Sequence, residues 1–265
     1  MQRLHIVSVS PRTGTTLLAE CMVACMNIDG FEAHEASIAR IRAGTQIYLT
    51  KRPGDLLAVG PRLAIDPHFH VICTLRDPRD VIVSRHRNDP GRYWVPLQVW
   101  KKRLSAFRQL ARHERVLVVR YEDLVTDPDA TQRRIQERLP FLRPTRAFSE
   151  FHAVAVPSHE SLKALGGLRQ FDTDSVGNWR RHLPRVAGQL VQHGPITEEL
   201  IEFGYERDAS WLSLLEGIDP DMSGSHLRDR SRRHWLRRLR PPRRGLAWLS
   251  AGVVVGARAL GIRIV

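Results

Sequence analysis

The residues best suited to chemistry begin with a loop of hydroxyl and cationic side chains at positions 10–16, Ser-Pro-Arg-Thr-Gly-Thr-Thr. A turn from a strand into a helix binds anions, because backbone N–H groups and the helix dipole point at the ligand. Gly14 relaxes such a turn, Thr15 and Thr16 add hydroxyls, and Arg12 adds a forked cation. The first Gly and the Lys of the GxxxxGK[ST] loop are missing, which disfavours a nucleoside triphosphatase. Taken alone, the pattern also fits an ordinary turn capped by Thr.

A second charged cluster, LRDPRDVIVS, follows an apolar run and occupies residues 75–84. Arg76 falls at the end of a predicted strand, where its guanidinium can bind a phosphate with two hydrogen bonds. Asp77 fits the N-cap of a helix that begins near Pro78. Ser84 is then predicted to lie two turns into that helix and to point toward the same anion. The alternative is a surface ion pair between Arg76 and Asp77, which would contribute little.

The two clusters together resemble the sulfotransferases that use 3′-phosphoadenosine 5′-phosphosulfate (PAPS). Residues 10–16 look like the 5′-phosphosulfate loop of that family, and residues 75–84 look like its 3′-phosphate motif. The Arg-containing loop followed by Leu17 resembles the bacterial, carbohydrate and tyrosyl-protein branches. Leu17 stands where the cytosolic branch has a Trp against the adenine, so other groups must hold that ring. The resemblance implies PAPS as sulfuryl donor, no required metal, and donor-binding roles for Arg12, Thr13, Gly14, Thr15, Thr16, Arg76 and Ser84.

Two later segments are also similar to the family. The sequence YEDL at residues 121–124 looks like a segment that follows a late strand, which implies that Tyr121 packs near the adenine. An ordinary core position is the alternative for that ring. The sequence GNW at residues 177–179 resembles a late Gly-x-Trp segment, which follows a loop over the 3′-phosphate. Arg169 lies upstream of it and is predicted to reach that phosphate.

The reaction itself needs a base and cations. Sulfuryl transfer is an in-line displacement that depends on positioning and charge stabilisation. The resemblance assigns the base to Glu35, with His34 as the alternative, and makes Lys51 a cation for the transition state. Arg12 is the other catalytic cation, facing the bond that breaks. Otherwise Glu35 is a solvated loop acid and Lys51 an ordinary surface lysine. Three Cys and scattered His complete no metal pattern.

The elements that must position these residues alternate between strand and helix. Apolar runs rich in β-branched residues predict strands at residues 4–9, 71–75 and 116–120. Helical patterns occupy residues 16–26, 79–86, 100–111, 128–139 and 198–203. The alternation predicts an α/β fold with a mainly parallel central sheet flanked by helices, and the resemblance implies the P-loop-like sulfotransferase fold. Ligands of such sheets bind at the carboxyl ends of the strands, where the polar clusters fall.

The charge of the chain is concentrated at its C-terminal end. The net charge is +13, and eleven Arg but only one Asp lie in residues 226–265. We therefore predict a sulfotransferase domain at 1–217, a linker at 218–225 and a basic amphipathic and apolar tail at 226–265. The tail suits an anionic membrane surface, with packing on the domain, assembly or nucleic-acid binding as alternatives. Nucleic acid is the least favoured partner, because clustered Arg alone does not identify it.

The predicted function is sulfuryl transfer from PAPS to an acceptor hydroxyl, which releases 3′-phosphoadenosine 5′-phosphate (PAP). The acceptor is expected to be a carbohydrate or another small or polymeric hydroxyl compound. The few Cys and the absence of a signal-like N-terminus favour the cytoplasm, at the inner face of the membrane if the tail binds lipid. The alternatives are a nucleotide or small-molecule kinase with a degenerate phosphate loop, and a non-catalytic basic binding protein.

Overall fold

A computed structural model describes residues 1–86 and 89–227 of the chain. Its centre is a five-stranded sheet made of β1 (Gln2–Ser8), β2 (Gly30–Phe31), β3 (Ile47–Lys51), β4 (Phe69–Leu75) and β7 (Val116–Arg120). The strand order is β2-β3-β1-β4-β7, and every neighbouring pair is parallel. A separate antiparallel hairpin consists of β5 (Arg85–His86) and β6 (Asp89–Tyr93). The predicted mainly parallel sheet is confirmed.

Helices cover both faces of this sheet. They are α1 (Thr15–Cys25), α2 (Val59–Ile65), α3 (Pro78–Val83), α4 (Leu97–Lys101), α5 (Leu104–Ala111), α6 (Tyr121–Thr126), α7 (Pro128–Arg138), α8 (Phe151–Val154), α9 (His159–Leu165), α10 (Leu183–His193) and α11 (Thr197–Glu202). Side chains alternate between two cores, because successive strand residues point to opposite faces. In β1, Ile6 joins the core under α1 and α7, whereas Val7 joins the core under α2, α4 and α5. The predicted α/β layering is therefore confirmed.

Short 3-10 helices connect several of these elements. They span Pro53–Leu57, Phe148–Glu150, Asn178–Arg181 and Ser210–Leu215. The segment Asn178–Arg181 leads directly into α10, which places it beside the C-terminal edge of the sheet. That segment becomes important because its N-terminal end is bound to α3, as described below.

The helix predicted over residues 79–86 is shorter than expected. It ends at Val83, and Ser84 has an extended backbone with φ −64° and ψ 127°. The prediction that Ser84 lies two turns into a helix is wrong. The carbonyl of Ser84 accepts a hydrogen bond from the Trp94 amide at 2.9 Å, because the chain turns here into the β5–β6 hairpin. The helix predicted over 100–111 is likewise divided into α4 and α5.

Residues 218–225, predicted as a linker, lie against α10. The buried guanidinium of Arg185 donates to the Ser223 carbonyl at 2.7 Å and to Ser225 Oγ at 2.6 Å. The Asp221 amide donates to the Pro184 carbonyl at 2.8 Å. Nearly all of the predicted tail, from residue 228 onward, lies outside the described residues. No helix within the described ranges is long and apolar enough to cross a membrane.

Candidate functional site

The loop of residues 10–16 connects β1 to α1 at the carboxyl end of β1. Gly14 has φ 79° and Arg12 has φ 74°, so two of its residues occupy the left-handed region. Helix α1 begins at Thr15, and the first-turn amides of a helix have no partner within the helix. Arg12 is the only non-glycine residue among those described with a positive φ. Such strain is typical of a backbone held in shape for a ligand.

Thr13 differs from its neighbours because its side chain points into the protein. Its hydroxyl lies 2.7 Å from Thr74 Oγ1 on β4 and donates to the Ser10 carbonyl at 3.1 Å. The side chain is buried and does not line the cavity at the loop. Thr15 and Thr16 do line it. The hydroxyl of Thr13 thus anchors the loop to the sheet.

The loop of residues 10–16 and the Arg76–Ser84 motif contact each other at this edge of the sheet. Arg76 donates through Nη1 to the Arg12 carbonyl at 3.0 Å, and through Nη2 to the Ser175 carbonyl at 2.6 Å. Arg12 in turn donates through Nε to Ser84 Oγ at 2.8 Å. Ser84 reaches this position from the start of an extended segment rather than from a helix. The loop and the Arg76–Ser84 motif therefore form one continuous cationic surface.

Tyr121 lies at the start of α6 and contributes to the same surface. Its hydroxyl is 2.7 Å from Ser175 Oγ, and its ring lies 4.3 Å beneath the Arg76 guanidinium. A Cβ atom on Gly14 would lie 2.5 Å from the ring carbon Cδ2. The ring therefore packs against the loop of residues 10–16 on one side and Arg76 on the other, and it also lines the cavity.

Lys51 brings the predicted catalytic group to the start of α1. The buried ammonium donates to Thr16 Oγ1 at 2.9 Å. Burial lowers the pKa of Lys51, and the Glu35 and Glu20 carboxylates partly offset this effect. The Ala36 amide donates to the Lys51 carbonyl at 3.0 Å, which fixes the loop that carries Glu35 beside Lys51. Glu35 itself is exposed, as is the alternative base His34.

The cavity at this edge has a volume of about 390 Å³ and two kinds of wall. One group of lining residues is polar and largely cationic: Arg12, Arg76, Ser84, Arg85, Asn178 and His182. A second group is apolar: Leu17, Val125, Phe151, Leu165 and Phe171. The rings of Phe151 and Phe171 lie 6.2 Å apart, and Leu17, Leu165 and Phe171 pack against the core that contains Phe151. A ligand with an anionic part and an apolar ring fits such walls.

Arg169 also lines this cavity but is held at its outer part. Its Nε donates to the Asp172 carboxylate at 2.7 Å, and its side chain is 63% exposed. The predicted contact of Arg169 with a phosphate therefore stays a prediction. Arg85, His182 and Phe171 were missed at the sequence level. Arg85 follows the Arg76–Ser84 motif directly but is not part of it, and His182 and Phe171 lie far in sequence from both the loop and the motif.

Three charged residues of the Arg76–Ser84 motif hold neighbouring parts of the site in place. Arg79 is buried between Trp179 and Trp211, with ring distances of 4.0 and 4.8 Å, and it binds Asp77 at 2.7 Å. Asp80 accepts the amide of Gly177 and that of Trp179, each at 2.8 Å. Burial raises the pKa of Asp80. These contacts hold the Gly-x-Trp segment against α3.

Glu122 joins this support from the neighbouring strand end. Its carboxylate accepts the Asp77 amide at 2.9 Å and the Tyr205 hydroxyl at 3.3 Å. Burial raises the pKa of Glu122.

Among the residues that the structure describes, no group of three or more His, Cys, Asp or Glu side chains is placed to hold a metal.

The parallel sheet, the loop before α1 and the cationic cavity define a class of α/β proteins that bind anionic ligands at strand ends. Residues 25–141 match the model of the sulfotransferase family. The Arg76–Ser84 motif and Tyr121 fall within the match, whereas the loop of residues 10–16 precedes it. No curated protein matches the chain significantly.

Several solved sulfotransferases are similar in structure. A sulfotransferase domain from the curacin biosynthetic pathway has a TM-score of 0.47 and 14% identity, covering 68% of this chain and 91% of that chain. A sulfotransferase domain from an olefin synthase of Synechococcus PCC 7002 has a TM-score of 0.42 and 16% identity, with 68% and 87% covered. Mouse sulfotransferase SULT7A1, complexed with PAP, has a TM-score of 0.39 and 14% identity, with 57% and 62% covered.

Proposed function

We propose that the protein transfers a sulfuryl group from PAPS to an acceptor hydroxyl and releases PAP. The observation that carries this proposal is the union of the two phosphate clusters, through Arg76 on the Arg12 carbonyl and Arg12 on Ser84 Oγ. The donor has two phosphate groups on one ribose, and the cavity offers a helix N-terminus for one and a cluster of cations for the other. A donor with one phosphate would leave one of these groups unused.

The apolar wall supplies the remaining part of the donor site. Leu17, Phe151 and Phe171 give an apolar wall for an adenine ring, in place of the Trp that the cytosolic branch uses. Gly14 allows the Tyr121 ring to pack against the loop, since a Cβ at position 14 would clash with that ring. Residues Thr15, Thr16 and Arg12 would hold the 5′-phosphosulfate, and Arg76 and Ser84 the 3′-phosphate.

The chemical step needs one bond to form and one to break. The acceptor oxygen attacks sulfur, the bond from sulfur to the bridging phosphate oxygen breaks, and PAP leaves with the bonding pair. We assign the acceptor proton to Glu35, whose carboxylate lies near Lys51 and is exposed to an incoming acceptor. Lys51, held on Thr16 Oγ1, stabilises the charge that develops on the leaving oxygen, and Arg12 assists it.

Binding of PAP tests the donor assignment directly. Calorimetry on the full chain should show PAP binding, and Arg76→Ala should weaken it by about tenfold or more, because a bidentate charge-assisted contact is lost. The matched control is Arg138→Ala. Arg138 bonds the Glu114 carbonyl at the opposite edge of the sheet, and its loss should leave PAP affinity unchanged. Failure of PAP to bind, or equal affinity for Arg76→Ala, would overturn the proposal.

The acceptor is proposed to be a carbohydrate or another hydroxyl compound. Supporting this class is the resemblance of the loop at residues 10–16 to the carbohydrate branch. A panel of hydroxyl acceptors incubated with ³⁵S-labelled PAPS should show label transfer to one chemical class. Transfer of label from γ-³²P ATP with Mg²⁺, and none from PAPS, would favour the kinase alternative instead.

We also propose a cytoplasmic location, with the basic tail at an anionic membrane surface. Support comes from the eleven Arg in residues 226–265 and from the apolar residues among them. The full chain should co-sediment with phosphatidylserine vesicles. Replacement of Arg232, Arg233, Arg237 and Arg238 by Gln should abolish this pelleting, and equal pelleting of both proteins would remove the idea.

A further inference from the structure

His182 is a titratable residue in the cationic wall of the cavity. It is not among the residues to which the sequence motifs assign a role. It lies between the 3-10 segment Asn178–Arg181 and helix α10, where it occupies the N-cap position. The same wall of the cavity includes Arg76, Ser84 and Arg85. The imidazole therefore faces the same space as the groups proposed to hold the 3′-phosphate.

The surroundings of His182 are cationic when no anion is bound. Burial lowers its pKa, and the nearby Arg85 and Arg181 lower it further. The other charged groups that line the cavity are Arg12, Arg76, Asp80, Arg169 and Asp172. Asp80 is bound to the Gly177 and Trp179 amides, and Asp172 is paired with Arg169, so both carboxylates already have partners. The pKa of His182 therefore lies below the ordinary histidine value of about 6.5, so the neutral imidazole predominates in the free protein near neutral pH.

A phosphate monoester changes this balance when it enters. It carries between about −1.5 and −2 charges at neutral pH and has strong acceptor oxygens. Such a charge offsets the repulsion from Arg85 and Arg181 and favours the imidazolium form. A charged imidazole can then donate a hydrogen bond that the neutral ring makes more weakly.

We propose that His182 is a proton-linked ligand of the 3′-phosphate, so that the donor and PAP bind with uptake of a proton from solvent onto its ring. The inference rests on the proposed donor. It adds a selectivity that the arginines alone do not supply, since only a ligand with a 3′-phosphate would draw the proton. A nucleotide without that group, such as adenosine 5′-monophosphate, would bind without it.

The test is calorimetry of PAP binding in buffers of different ionisation enthalpy, at about pH 6, 7 and 8. The variant His182→Gln should take up fewer protons than the natural protein, by up to one per PAP. Its PAP affinity should be about tenfold lower near pH 6 and closer to that of the natural protein near pH 8. His182→Lys, which keeps a charge throughout, should bind PAP with less pH dependence than the natural protein.

Two controls separate this role from a structural one. His68→Gln changes an exposed His at the opposite edge of the sheet and should leave proton uptake unchanged. Affinity for adenosine 5′-monophosphate should be equal in the natural protein and in His182→Gln. Equal proton uptake by both proteins, or an equal loss of affinity for both nucleotides, would overturn the role of His182 while the donor assignment stands. Absence of PAP binding by the natural protein would overturn both.

Discussion

Gly14 faces the ring of Tyr121 so closely that a Cβ atom at position 14 would lie 2.5 Å from Cδ2 of that ring. The same glycine has φ 79°, a conformation that other residues adopt only with strain. The position therefore requires glycine for two independent reasons. One is the turn into α1, and the other is the contact that joins the loop of residues 10–16 to α6. The Arg76 guanidinium lies over the Tyr121 ring, so that one glycine supports both the loop and the Arg76–Ser84 motif.

Replacing Gly14 by Ala should disrupt this arrangement. The left-handed conformation alone costs about 1–2 kcal/mol for a residue with a Cβ, and the ring of Tyr121 must also move. We expect a lower free energy of unfolding in urea, and PAP affinity that falls by at least about tenfold. The control is Gly54→Ala, since a Cβ at position 54 meets nothing within 4 Å. If both variants bound PAP as tightly as the natural protein, the double constraint on Gly14 would be wrong.

Some of this architecture could be predicted from the sequence because the signals were local. The apolar runs that became β1, β4 and β7 are continuous, and the turn chemistry around Gly14 is readable in a few residues. The five residues of β3 are rich in β-branched and aromatic types, which also favour a strand. Strand β2 has only two residues, and its existence depends on pairing with β3 rather than on its own composition.

The rest of the site depends on contacts between distant segments. Asp80 and Arg79 belong to the Arg76–Ser84 motif in sequence, yet they contact Trp179 and Trp211, about 100 and about 130 positions later. These contacts hold the Gly-x-Trp segment in place. Spacing within a motif cannot distinguish a ligand-facing charge from one turned toward the core. Arg85 and Phe171 also line the cavity, and only folding brings them close to the loop of residues 10–16.

The acid–base assignment makes Glu35→Gln a selective variant. Gln keeps the shape of the side chain but cannot accept the acceptor proton, so PAP affinity should be unchanged while kcat falls by about 10²–10⁴-fold. Transfer from ³⁵S-labelled PAPS measures the rate, and calorimetry measures the affinity. The control is Glu32→Gln on the same loop, because the Glu32 side chain already accepts a hydrogen bond from the Tyr48 hydroxyl at 2.6 Å. Natural turnover by Glu35→Gln would exclude Glu35 as the base and direct attention to His34.

The lowered pKa of Lys51 predicts an alkaline limit to activity. Burial disfavours the charged form of Lys51 and lowers its pKa below that of an ordinary lysine, which is about 10.4. The ammonium group therefore loses its proton at a lower pH than an ordinary lysine does. Stabilisation of the leaving oxygen depends on the charged form. Therefore kcat/KM should be at its maximum below the pKa of Lys51 in the folded protein and should fall as the pH rises through that pKa.

Lys51→Arg should move this alkaline limb to higher pH, because a guanidinium stays charged. The amplitude of kcat will also fall, since Arg cannot reproduce the contact with Thr16 Oγ1 in the same geometry. Lys163→Arg, at an exposed position of α9, should leave the profile unchanged. An unchanged limb in Lys51→Arg would assign the titration to another group.

Arg79 should be essential for the fold, although it does not line the cavity. Its guanidinium binds the Asp77 carboxylate at 2.7 Å and that of Glu206 at 2.5 Å, and its side chain is only 2% exposed. Met at this position would fill the space between Trp179 and Trp211 but would leave two carboxylates without their cation. Breaking a buried pair in this way costs about 3–5 kcal/mol, which urea unfolding would measure.

A surface pair offers the matched comparison for Arg79→Met. Arg108 binds Glu202 on the exposed side of α5, where both side chains are about two-fifths exposed. Arg108→Met should therefore cost no more than about 1 kcal/mol. The free energies of unfolding of the two variants should differ by at least about 2 kcal/mol. Equal free energies of unfolding for the two variants would mean that Trp179 and Trp211 hold the Gly-x-Trp segment against α3, and that the ion pairs of Arg79 do not.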